Sequence, residues 1–329
     1  MIRAYLRQGT RVLEQPLIPG MPLPEGTVWL DLFTPDDGER ETMARLLHID
    51  LPTREEMKEI EASSQLYTEG DAVYLTTPVI ARADTPYPEQ GELTFILTPH
   101  QLLTIRFMEP RSIPAFAARV VRQPELLASP EDALLGLLDA VIDRVADVLE
   151  LVGGRIDSLS QRVFDDNLGM ENGRPRPPRG ELQDVLRGIG RAGDLTHKVR
   201  DCIAGLERLV AYLNTVAVGR MNKEQKAQIK TLSRDLRSLN EHVGFLAQET
   251  NFLLDATLGL INIEQNTIIK IFSVAAVAFL PPTLIASIYG MNFEHMPELA
   301  QSWGYPAALL AMVLSAVIPL WYFRRRGWL

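Results

Sequence analysis

The chain has 329 residues, with 42 acidic and 33 basic side chains and a formal charge of −9. That balance excludes nucleic-acid binding through a basic face, and a single cysteine, Cys202, excludes a disulfide framework or a thiolate metal cluster. The charge is unevenly spread: residues 271–329 hold two acids and three bases, which leaves 40 acids and 30 bases for residues 1–270. The pattern is an acidic, water-soluble body followed by an almost uncharged apolar tail. The opening MIRAYLRQGTRVLEQ has no apolar run, so no signal peptide is expected there.

In chain order, residues 1–128 mix short apolar runs with turn residues. Thr27–Asp31, Ala72–Val79, Leu93–Thr98 and Leu102–Phe107 are rich in β-branched and aromatic residues and read as strands. Thr34–Leu47 and Thr53–Ser63 read as helices, each opened by a threonine able to cap it. The first region is therefore expected to be a small α/β domain. From Ser129-Pro130-Glu131 the spacing turns helical and continues to Phe164. Asp165–Gly180, rich in Gly, Pro and Arg, reads as a loop, and a second helix is expected over Glu181–Val216.

The third helical stretch places Ile229, Leu232, Leu236, Leu239, Val243, Leu246, Thr250, Leu253, Thr257 and Leu260 at alternating steps of three and four. No proline interrupts residues 179–280, so one helix is expected over 223–289. At 1.5 Å per residue it would be on the order of 100 Å long. Such a helix either packs on its two predecessors as a coiled coil or forms a stalk, and one helix can do both on different faces.

Ile271–Ile288 and Ala307–Phe323 are runs of 18 and 17 residues without a charge. With their flanks, both meet the length of a membrane span, about 20 residues. Tyr289, Trp303 and Tyr305 lie at one pair of ends, and Trp321, Tyr322 and Trp328 at the other, as an aromatic belt would place them. Lys270 precedes the first run and Arg324, Arg325 and Arg326 follow the second, whereas 290–304 contains no Lys or Arg. The positive-inside rule then puts both termini in the cytoplasm. One hairpin cannot enclose a polar path, so transport would require several copies around an axis.

Candidate chemistry is sparse. Gly188, Gly190 and Gly193 match G-x-G-x-x-G but lie inside a helical pattern rather than after a strand, so no dinucleotide loop is expected. The histidines show no ligand spacing, no nucleophile elbow or P-loop occurs, and an enzyme is not expected. What remains is the first span. Asn266, Ile269, Phe272 (or Ser273), Ala276, Leu280 and Thr283 recur at about one turn, and Asn292 follows at the outer end. Mg²⁺ holds its water shell tightly, and the span carries no carboxylate to strip it. A ring of Asn292 amides could instead hydrogen-bond the coordinated waters. Glu294 and Glu298 beside it would raise the local cation concentration. Ile269 or Phe272 could close the path by dewetting. Lys270 and Arg324–Arg326 anchor topology, and they could also form a basic collar.

Tyr289-Gly290-Met291-Asn292, with Phe293-Glu294-His295-Met296-Pro297-Glu298-Leu299 after it, resembles the signature of the CorA magnesium transporter family. Gly259–Asn266, Ile269–Val274, Phe279–Leu284, Trp29-Leu30-Asp31-Leu32 and Thr53–Met57 are similar to its proteobacterial members. The resemblance implies an α+β fold: a cytoplasmic α/β funnel domain, a long stalk helix and a C-terminal two-helix transmembrane hairpin, assembled as a homopentamer in a bacterial inner membrane. It divides the chain into an α/β domain (1–128), a helical region (129–222), the stalk (223–270), a pore-lining span (271–290), an external loop (291–304), a second span (305–323) and a basic tail (324–329). Gly290, Met291 and Asn292 would be the selectivity filter. Asn266 would form an inner polar ring, Ile269, Phe272 and Leu280 apolar constrictions, and Thr283 a pore-facing hydroxyl. Mg²⁺ would be cargo and regulatory ligand, with Asp235 on the stalk taking part in regulation, and Co²⁺ and Ni²⁺ would be further ions passed. A Zn²⁺ transporter of the same fold and a membrane-tethered scaffold are the alternatives.

Overall fold

The computed structural model describes the chain apart from Pro19, Ile60, residues 165–169, 172–173 and 176–177, Val218, residues 293–295 and 298–300, and Leu329. The side chains of Ala62 and of residues 165–181 are also outside the description. The chain divides into two compact units, Met1–Leu254 and Asp255–Leu329.

The first unit is built on a seven-stranded sheet: β1 (Ile2–Gln8), β2 (Arg11–Leu17), β3 (Thr27–Phe33), β4 (Leu66–Glu69), β5 (Ala72–Ala81), β6 (Glu89–Leu97) and β7 (Leu102–Arg106), in the order β2-β1-β3-β7-β6-β5-β4. Neighbours pair antiparallel except β3 and β7. The sequence reading finds β3, β5, β6 and β7 and misses β1, β2 and β4. β2 is an edge strand whose Glu14, Gln15 and Pro16 dilute the apolar signal, as edges tolerate. The two-residue turn into β2 uses Gly9 at φ +62°, a conformation that side chains with a Cβ resist.

Helix α1 (Asp37–Leu47) starts later than expected: Asp36 caps it in a reciprocal box with Glu39, while Thr34 sits at φ +46° before it. The helix expected over 53–63 is two short pieces, α2 (Arg54–Met57), boxed by Thr53 and Glu56, and α3 (Ala62–Gln65). Helix α4 (Ser112–Arg122) is an addition to the sequence reading. It lacks a side-chain cap, but Ile113, Phe116 and Val120 are buried at helical spacing. Three long helices follow: α5 (Pro130–Phe164), α6 (Pro178–Val216) and α7 (Lys223–Tyr289). α6 opens on Pro178, three residues earlier than expected, because proline suits a first turn.

A buried polar link fastens the parallel pair. Arg106 donates from Nε to Asp31 Oδ1 at 3.1 Å and from a terminal nitrogen to Oδ2 at 2.9 Å. The two side chains are only 5 % and 2 % exposed. Thr104 donates to the same carboxylate and accepts from the Trp29 indole. Trp29 stacks on Tyr5 at 4.1 Å and meets the edge of Phe116. This satisfied network explains why Trp29 and Asp31 share one short strand: the ring fills the core, while the carboxylate holds the neighbouring strand's arginine.

Within the first unit the long helices pack at small residues. An added Cβ would lie 2.7 Å from a Leu159 methyl at Gly188 and 3.5 Å from Thr250 at Gly193. Two glycines of the apparent nucleotide motif are thus close-approach points between helices. Gln225 ties the start of α7 to α5 by bonds to Ser129 and Asp132. Of the ten predicted seam positions, Leu239 and Leu260 are half-buried and the other eight are buried.

The second unit contains the end of α7 and helix α8 (Gly304–Arg325). α7 continues through Pro281 and Pro282. The pair leaves two preceding carbonyls without their helical donors, a defect tolerated in spanning helices.

Candidate functional site

Between Ile271 and Tyr289 only Val274 and Ala278 are buried, and α8 has no buried residue. Both helices are long and apolar enough to cross a membrane. A core helix of a water-soluble protein would bury such a surface; here it faces outward.

At about 100° per residue, Asn266, Ile269, Phe272, Ala276, Leu280 and Thr283 share a face about 120° wide. Val274 and Ala278 lie on the opposite side. Ile269, Phe272 and Leu280 are 61 %, 72 % and 65 % exposed. The residues singled out in the sequence are therefore on one uncovered face, with the Asn266 amide at its N-terminal end. The Thr283 hydroxyl donates to the Phe279 carbonyl at 2.7 Å, which fixes its rotamer and leaves its oxygen lone pairs available.

The helix ends at the Gly290-Met291-Asn292 sequence. Gly290 closes the last turn by donating to the Ala286 carbonyl at 3.0 Å, and Met291 donates to Ile288. A Cβ on Gly290 would sit 3.1 Å from that same carbonyl oxygen, so glycine relieves a tight terminal turn. Met291 and Asn292 follow outside the helix, both exposed. Glu294 and Glu298, and His295 between them, lie outside the described residues.

At the other end Lys270, Arg324, Arg325 and Arg326 are all exposed. Sequence reasoning assigned their charge but missed their partners. Lys270 lies over Trp328, Arg325 over Trp321 and Arg326 over Tyr322. The i, i+4 spacing of the last two pairs was the available signal.

Asp235 is exposed on α7 within the first unit. It acts on Asp143 of α5, whose carboxyl is held above its ordinary value, first by desolvation and then by the negative charges of Asp139, Asp147 and Asp235. Among the described residues no three His, Cys, Asp or Glu side chains are grouped to hold a metal ion. Cys202 is buried, and burial pushes its thiol pKa up, so it is inert.

Comparison with known proteins gives a consistent result. The family described as "CorA-like Mg2+ transporter protein" matches residues 24–325. The chain is 37 % identical over 306 residues to "Magnesium transport protein CorA" of Pasteurella multocida, covering 92 % of each chain. It is 34 % identical over 329 residues to the protein of that name from Escherichia coli K12, covering 100 % of both. The complete structure of the CorA magnesium transporter from Methanocaldococcus jannaschii superposes with a TM-score of 0.76 at 18 % identity, over 100 % of this chain and 99 % of that one.

Proposed function

The chain belongs to the CorA-like Mg²⁺ transporter family, and on that premise we propose that it is a homopentameric channel for Mg²⁺ influx across a bacterial inner membrane. Five copies of α7 surround the path, α8 stands outside them, and both termini are cytoplasmic. Residues 1–128 and 129–222 form the cytoplasmic body, 223–270 the stalk, 271–290 and 305–323 the spans, 291–304 the external loop and 324–329 the tail.

The observation that carries this reading is the uncovered face of α7. A single chain leaves Ile269, Phe272 and Leu280 exposed on the side opposite Val274 and Ala278. Packing around an axis gives that face an enclosed environment, and lipid covers the rest. Asn292 amides at the outer mouth accept and donate hydrogen bonds to the waters of the hydrated ion, so the dehydration cost of Mg²⁺ is avoided. Gly290 and Met291 set the position of Asn292, and Glu294 and Glu298 concentrate cations beside it. The rings of Ile269, Phe272 and Leu280 close by dewetting, with Thr283 and Asn266 as polar stations above and below. Lys270 and Arg324–Arg326 form the basic collar at the inner end. An inside-negative potential of 100 mV drives a divalent ion inward with roughly 4.6 kcal/mol, so no ATP site is required. Co²⁺ and Ni²⁺ hydrates, also octahedral, use the same path. Internal Mg²⁺ holds the pore shut by binding between cytoplasmic bodies, where Asp235 and the aspartates of α5 supply negative charge.

The test is Mg²⁺ flux into liposomes containing only the purified protein, with Asn292→Ala as the variant. The substitution removes one amide from each copy; the loss of even one such hydrogen bond to a charged cargo, about 1.5 kcal/mol or more, predicts at least about a tenfold drop in flux. Unchanged flux in a variant that remains pentameric defeats the Asn292 ring mechanism, and absence of flux in the wild-type protein favours a membrane-tethered scaffold.

A further inference from the structure

The residues of the basic collar also take part in a second arrangement at this end of the helix pair. α8 finishes in a Schellman turn: Gly327, at φ +71°, donates to the Arg324 carbonyl at 3.2 Å, and Trp328 donates to the Phe323 carbonyl at 3.0 Å. The turn folds Trp328 back until it stacks on Phe323, with centroids 5.2 Å apart and planes 18° apart. The Lys270 ammonium lies 6.0 Å from the Trp328 ring. One turn earlier, the Arg325 guanidinium lies 4.8 Å from the Trp321 ring centroid, and that of Arg326 lies 5.6 Å from Tyr322.

These cations are held by aromatic faces. None of Lys270, Arg324, Arg325 and Arg326 forms an ion pair among the described residues. The described part of 271–329 contains no carboxylate side chain. A guanidinium lying on a ring keeps its N–H edge free, and that edge matches two oxygens of a phosphate. Basic side chains laid on aromatic rings at one end of two apolar helices suit an anion at headgroup depth.

We propose that Trp321, Tyr322, Arg325 and Arg326 form a binding site for the phosphodiester of an anionic phospholipid, the aromatic rings fixing the planes of the two guanidiniums. The proposal rests on the reading that α7 and α8 cross a membrane. It assigns the tail a lipid ligand in addition to its topological charge. The same chemistry would accept a free phosphate ester, so the source must be distinguished.

Native mass spectrometry of the purified full-length protein, in detergent carrying equimolar dioleoylphosphatidylglycerol and dioleoylphosphatidylcholine, reads the preference directly. The wild-type protein is expected to retain the anionic lipid roughly 30-fold over the zwitterionic one, the attraction of two basic residues to an anionic headgroup layer. Arg325→Gln/Arg326→Gln, which keeps Lys270 and Arg324 as topology signals, brings the ratio close to unity. Trp321→Leu/Tyr322→Leu leaves every charge in place and lowers it about fivefold, because the guanidinium planes are no longer held. Equal retention by the wild-type protein, or an unaltered preference in either variant, overturns the site. Displacement of the lipid by millimolar glycerol 3-phosphate also overturns it, since the arginines would then serve a soluble anion. Ion flux is not read, so failure here is distinct from failure of the channel. A protein that does not float with liposomes removes the membrane premise, and this site with it.

Discussion

In Met1–Leu254, Leu232 and Leu236 are 1 % and 0 % exposed; in Asp255–Leu329, Leu280 and Leu284 are 65 % and 62 % exposed. All four leucines lie on the same helix, α7. The first pair faces packed helices, so its burial stabilises the unit from within. The second pair has no cover in one chain and depends on lipid or on other copies. The two regions are thus built for different solvents. One satisfies its polar groups internally, as Asp31, Thr104 and Arg106 do. The other leaves cations against aromatic rings and keeps carboxylates out of the span.

Substitutions in the two regions should therefore separate stability from transport. The largest expected effect is Asp31→Ala, which strands a buried arginine and costs about 3–5 kcal/mol. It should appear as a lower unfolding midpoint of the detergent-solubilised protein, and a cost under about 1 kcal/mol would show that water reaches the pair. The comparison is sharpest in one matched pair. Leu236→Ala should cost about 2–5 kcal/mol, while Leu280→Ala should change stability by less than about 0.5 kcal/mol and alter Mg²⁺ flux in liposomes. Equal destabilisation by both would mean that the span has an internal core. Asp36→Ala removes the capping box of α1 and should cost about 1 kcal/mol, read in the same melts.

The smallest effect expected is pH-dependent. Asp143, although exposed, has a raised carboxyl pKa because partial desolvation and neighbouring aspartates disfavour its charge. A carboxyl raised on folding contributes stability below its unfolded value, about 3.9, and loses it as pH rises through the folded value. Asp143→Asn should therefore stabilise the protein at neutral pH by about 0.5 kcal/mol, the relief of two like-charge helix pairs. The gain should vanish below about pH 4. A gain that persists in acid would trace the effect to packing instead of charge.

Strong periodicity made the α5–α7 region and both apolar helices legible: the spacing from Ile229 to Thr257 and the uncharged runs set them without tertiary context. The Tyr289-Gly290-Met291-Asn292 signature carries the family resemblance in the sequence alone. β2, β4 and the true start of α1 were not legible, because edge strands dilute their pattern and a capping box depends on which of Thr34 and Asp36 the chain turns at.

The sequence by itself determined which residues could face water, lipid or one another, since charge and hydropathy are properties of side chains read in order. Only tertiary structure decided how Gly188 approaches Leu159, how Asp31 meets Arg106 from a strand 75 positions away, and how Gly327 turns Trp328 onto Phe323 near Lys270. Those contacts join positions distant in sequence or need a left-handed turn, and local patterning carries no record of either.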